Sequence, residues 1–169
     1  MSGRGTVEIV GIGVAWDELL PGQRLRTVGR TLREADIVIF CGLTGLLPAE
    51  VVDAEFRSKH GPDSRVAGTP QRVPPILVYS LAEGLLANWD RGSGLGFDAL
   101  DLTVQAPCRL GDTIHLDLEV VDISGPLPDG RGRVTTYQVV RNQRGEALIA
   151  YRQTRVLRGR TERDRLATI

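Results

Sequence analysis

The chain has 169 residues, 41% apolar and 25% charged, which is the make-up of one globular domain with a real core. Its 21 basic residues balance 21 acidic ones, so no net field draws it to nucleic acid or to a membrane surface. Cys41 and Cys108 are the only cysteines and form no C-x-x-C pair, which argues against a zinc site or disulfide framework and for a reducing compartment. No segment has the length of a membrane span, and the apolar run near the N-terminus is too short for a signal peptide. A cytoplasmic protein without metal or cofactor is the expectation.

Residues 1–15 are glycine-rich and read as a flexible arm, with at most a short strand at Val7–Val10. Pro21-Gly22 marks a turn, and Arg24–Arg30 alternates as a first strand. "TLREADIVIFCGLTG" opens with Thr31 and Glu34 in capping-box spacing, followed by Ala35, Val38, Ile39 and Leu43 at helical intervals. Ala49–Arg57 predicts a second short helix, and the polar stretch after it a loop. "VPPILVYSLAEGLLANW" begins with Pro74-Pro75, tolerated only in a first helical turn. Its apolar residues Ile76, Leu77, Val78, Leu81, Leu85, Leu86 and Trp89 surround the axis, which predicts a buried helix.

Beyond that helix the period changes from helical to two. "ALDLTVQAP" and "TIHLDLEVVDI" read as strands, the second with Ile114, Leu116, Leu118 and Val120 on one face. "RVTTYQVVR", the turn "NQRG" and "EALIAYRQTRVLR" predict a long hairpin. The polar tail 159–169 is expected to fray. The order predicts one α+β domain over 16–158, an antiparallel sheet wrapped around one long helix.

The ordered set "READIVIFCGLTG", "DAEF", "SLAEGLL" and "PCRLGDTIHLDLEVVD" resembles the MaoC-like dehydratases and hydratases, relatives of the (R)-specific enoyl-thioester hydratases. The resemblance implies a hotdog fold over roughly Trp16 to Arg158 and chemistry on an acyl chain carried by coenzyme A or acyl carrier protein. It also implies a homodimer or a heterodimer with a second MaoC-like subunit. The family's motif G-D-x-N-P-x-H-x-D supplies an Asp and a His that activate water. Laid on Gly45 to Asp53, it places Leu46 at the Asp, Pro48 at the Asn and Val51 at the His. A one-residue slip puts Glu50 at the His and still leaves no carboxylate at the Asp. The helix that begins with His-Gly in such enzymes begins here with Pro74-Pro75, neither of which has an N–H to hold a developing oxyanion. Losing one such donor costs roughly a hundredfold or more in rate.

Three carboxylates are the candidate catalytic groups. Glu50 and Asp53 share one face of a short helix, either as a displaced acid/base pair or as solvating surface carboxylates. Glu83 interrupts the apolar helix, either as a buried base of the kind hotdog thioesterases use or as a helix-end or dimer-facing acid. Cys41, Leu46, Val51, Pro74, Pro75 and Tyr79 are the expected substrate-binding positions. His60 and His115 read as surface histidines. The function expected is a catalytically degenerate, acyl-binding subunit that pairs with an active MaoC-like partner. The alternatives are a repurposed dehydratase, isomerase or cyclase using non-standard residues, or a thioesterase relying on Glu83.

Overall fold

Alternation decides the sheet. The computed structural model describes residues 13–65 and 68–166, and among them six strands form one antiparallel sheet. Its strands are β1 (Arg24–Arg26), β2 (Arg30–Thr31), β3 (Gly94–Val104), β4 (Thr113–Ser124), β5 (Gly132–Arg141) and β6 (Ala147–Leu157). They run in the order β1-β4-β5-β6-β3, with β2 also on β4. On β4 the buried residues are Ile114, Leu116, Leu118 and Val120, as their spacing predicts, while His115, Asp117 and Glu119 face outward. Burying each such side chain stabilises the fold by about 1.5–3 kcal/mol. The β5–β6 hairpin closes where Gly145, at φ 79°, donates its N–H to the Asn142 carbonyl.

The helices are α1 (Glu34–Thr44), α2 (Ala49–Val52), α3 (Ala54–His60), α4 (Pro75–Leu86) and α5 (Arg160–Leu166). The sheet wraps α4, which seats Leu77, Val78, Ala82 and Leu86 against the inner face of the strands. Its start is fixed by the preceding segment: Val73 N–H donates to the Cys108 carbonyl and Leu110 N–H to the Gln71 carbonyl. The other flank of α4 is not covered by its own sheet, and Ile76 is 48% exposed. None of the helices described is long and apolar enough to cross a membrane.

Several local expectations are corrected. The strand expected over Arg24–Arg30 is two, because the Thr27 hydroxyl takes the Leu116 N–H and interrupts the ladder. The capping box does not form. Thr31 lies in β2 with its hydroxyl on that of Thr113, and the Asp36 carboxylate accepts the Arg33 N–H at the helix start instead. On α1 the buried face carries Ile37 and Cys41, whereas Val38, Ile39 and Leu43 are exposed. The single helix expected over Ala49–Arg57 breaks at Asp53. The helix holding Glu83 ends at Leu86, and Trp89 sits in the turn beyond it. β3 begins at Gly94, five residues before the predicted strand.

The termini are also corrected. The possible strand at Val7–Val10 lies outside the described residues. Gly13 to Ala15, expected in the flexible arm, are docked: Gly13 and Val14 donate to the Arg91 and Trp89 carbonyls, and Ala15 is buried. The tail expected to fray forms α5, held by Arg163, whose guanidinium bonds both Glu18 carboxylate oxygens.

Candidate functional site

The segment joining α1 to α4 is built from helix ends. Gly45 closes α1 in the left-handed region at φ 68°, a conformation glycine adopts without strain. Leu46 follows with its side chain 46% exposed, and Pro48 caps α2, its carbonyl taking the Val51 and Val52 N–H groups. Val51 turns inward and packs against the core. Asp53 accepts the Phe56 N–H at 2.8 Å and so serves as the N-cap of α3. Glu50 is exposed on the rim of a cavity of about 270 Å³ that Val51, Arg57, Asp63, Gln71 and Arg72 also line. Cys41 is buried in the hydrophobic core under α1.

At the start of α4, Pro74 is the N-cap and Pro75 the first helical residue. The N–H groups of Leu77 and Val78 both turn back to the Pro74 carbonyl. Ile76 is therefore the first residue of this helix with an N–H to offer. A donor exists at the helix start, one residue later than the sequence pattern placed it.

Glu83 and Tyr79 sit elsewhere, among polar side chains on the inner face of the sheet. One Glu83 oxygen accepts the Tyr151 hydroxyl at 2.7 Å, and the other accepts Arg155 Nη2 at 2.6 Å. The Arg155 side chain is 5% exposed, and burying an unpaired charge this deeply would cost several kcal/mol. It is compensated by Glu83, by the Thr136 hydroxyl at 3.1 Å, by Asp90 at 3.6 Å and by the Trp89 ring, whose centroid is 5.9 Å away. Gln138 donates to Thr136, and Tyr79 meets the Tyr151 ring edge-on at 5.2 Å. Burial, then the Glu83 charge, pushes both phenols above their usual range. Burial also raises the Asp90 carboxyl, against the opposing pull of Arg155.

Tyr79 and Glu83 are thus brought together, whereas Glu50 and Glu83 line separate cavities that share no residue. Sequence reading missed Asp90, Tyr151, Gln153 and Arg155. The signal was present in the phase of β6: Tyr151, Gln153 and Arg155 alternate in step with inward Ile149 and Leu157. His60 is exposed beside Phe56, and His115 lies on the outer face of β4. Among the described residues no three His, Cys, Asp or Glu side chains are grouped to hold a metal.

No protein-family model and no curated protein sequence matches the chain. Solved structures do. A monoamine oxidase regulatory protein from Archaeoglobus is 28% identical, with a TM-score of 0.74, over 87% of this chain and 95% of its own. A MaoC-like dehydratase from Rhodospirillum rubrum is 22% identical at a TM-score of 0.71, over 88% and 99%. A Mycobacterium tuberculosis protein with a double hotdog fold is 19% identical at 0.75, over 89% of this chain and 46% of its own. The class these likenesses define is the hotdog fold. Within it, the likeness extends to MaoC-like dehydratases at 22% identity or less.

Proposed function

We propose that this protein is a catalytically degenerate subunit of a hydratase or dehydratase acting on acyl thioesters, paired with a second MaoC-like chain that carries the water-activating residues. The observation that carries the reading is the composition of the segment between α1 and α4. Leu46 and Val51 fall where the resemblance puts the acid/base pair, Glu50 faces solvent, and Asp53 is engaged as a helix cap. General acid–base help contributes roughly a hundred- to ten-thousandfold, and neither Leu46 nor Val51 has a group to supply it. The thioester carbonyl is taken to meet the Ile76 N–H at the start of α4. The carrier is coenzyme A or an acyl carrier protein.

The test is hydration of crotonyl-coenzyme A by the purified chain, by a MaoC-like protein with an intact motif that co-purifies with it, and by both together. The chain alone is expected at background and the pair is expected to be active. Hydration by this chain alone would overturn the reading.

A second reading is favoured by one feature, the half-buried contact between Glu83 and Tyr151. In that reading the chain is an enzyme in its own right, with Glu83 as the base of an isomerase, cyclase, dehydratase or thioesterase. Turnover of an acyl thioester abolished by Glu83→Gln and untouched by Asp53→Asn would select it.

A further inference from the structure

The inner face of the sheet is apolar at Ile114, Leu116, Leu118, Val120, Val134, Val140, Ile149 and Leu157. Against that background Thr136, Gln138, Tyr151, Gln153 and Arg155 form one polar patch on β5 and β6, all at most 4% exposed. Stability alone does not account for it, because a buried ion pair is often matched or bettered by apolar side chains of similar volume. The patch is also incompletely satisfied. Among the described residues, Trp89 Nε1, a donor, and Gln138 Oε1, an acceptor, are buried without a partner, and Arg155 Nε comes no closer than 3.6 Å to Asp90. Beside it a cavity of about 300 Å³, lined by Glu83, Asp90, Gln153 and Arg155, reaches the surface at Gly94 and Phe97.

This patch is in line with the helix start. Ile76, Tyr79 and Glu83 are spaced i, i+3 and i+7, so they share one face of α4, and that face is only partly covered within the chain. The rise from Ile76 to Glu83 is ~10 Å. We infer that the polar patch is the distal end of the acyl cleft, and that it selects a thioester whose chain carries an oxygen near its far end over one with a plain alkyl chain. The inference rests on the acyl-binding function proposed above and names its substrate class. A hydroxyl both donates and accepts, which matches the mixed donors and acceptors of the patch. An alkyl end would desolvate the same groups and give them nothing in return. Sites built to bond a hydroxyl reject the analogue that lacks it far more strongly than an apolar pocket rejects an extra methylene. The ~10 Å span calls for a chain that carries its oxygen several carbons from the thioester, as 6-hydroxyhexanoyl does.

The experiment is calorimetric titration of the full chain, in the assembly in which it purifies, with hexanoyl-coenzyme A and 6-hydroxyhexanoyl-coenzyme A. The hydroxylated probe is expected to bind about tenfold more tightly or better. Glu83→Gln is expected to bring the two affinities together. Tyr151→Phe, which removes one oxygen and keeps the packing, makes the same test should Glu83→Gln fail to fold by circular dichroism. Equal affinities in the unaltered protein, or a preference that survives in the folded variant, would overturn the inference and leave the acyl-binding function standing. Binding of neither probe would overturn both.

Discussion

Asp63 is held between two guanidinium groups. Arg72 bonds both its oxygens at 2.7 and 2.9 Å, and Arg109 bonds them at 2.8 and 3.2 Å. The clamp ties the loop after α3 to the approach of β4, where Arg72 and Arg109 also pair as a backbone bridge. These two partners, Arg72 first, hold the Asp63 carboxyl well below the usual carboxylate range. A depressed folded-state pKa gives stability that is complete above the unfolded value of about 3.9 and is lost as pH falls toward the folded value. The stability difference between the unaltered protein and Asp63→Asn is therefore expected to be full at neutral pH and to shrink as the solution is acidified below about pH 4. Urea unfolding across that range measures it, and a difference that grows on acidification would contradict the clamp. Cys108 illustrates the opposite case, with burial and the nearby Asp112 charge pushing its thiol up to about 12. Such a thiol is structural, and Cys41, expected in the cleft, is likewise part of the core.

At the scale of elements, the N- and C-terminal segments are fastened to the sheet by one turn. The residues Trp16–Glu18 form a single 3-10 turn, and Glu18 gathers Ala15 N–H, Arg160 and Arg163. Those contacts turn a polar tail into the helix α5. Trp16 lies flat across the start of β5, its indole N–H donating to the Gly130 carbonyl at 3.1 Å. A Cβ on Gly132 would overlap the Trp16 ring. Gly132→Ala is therefore expected to displace the indole and to cost about 1–3 kcal/mol, as overpacking does. Denaturant unfolding followed by tryptophan fluorescence reads both effects, and unchanged stability with unchanged emission would mean that Trp16 does not rest on this glycine.

At the scale of the whole molecule, the surface carries several large exposed apolar side chains. Val38, Ile39 and Leu43 on α1 are between 64% and 84% exposed, and Leu47 and Val52 are exposed as well. β3 is a terminal strand of 11 residues whose outer edge pairs with no strand among the described residues and which exposes Phe97, Leu100 and Val104. A long, apolar free edge is a template for pairing with another chain. A dimer, with a second copy or with a MaoC-like partner, is expected at micromolar concentration, and its interface should cover that edge. Light scattering gives the answer: a folded protein with the mass of one chain would rule the dimer out.

The sequence by itself determined what is local. The two-residue period of β4, β5 and β6, the Gly145 turn and the helix opened by Pro74-Pro75 are each dictated by neighbours in the chain, and each was legible. The α+β architecture follows from their order. That Leu46 and Val51 fall where the resembled motif has its Asp and His is read from residue order alone, and the structure adds that Leu46 is exposed while Val51 packs inward. Only the tertiary structure decided which face of α1 is buried, that Thr27 splits the first strand, and that the polar tail docks as α5. It alone assembled the candidate site on the inner sheet face. Glu83 lies 68 residues from Tyr151 and 72 from Arg155, so no local pattern joins them. Phase along β6 told only that Tyr151, Gln153 and Arg155 share a face. What compels them to meet Glu83 is burial: a charge carried into the core by the alternation of a strand must find its counter-charge wherever the fold brings one.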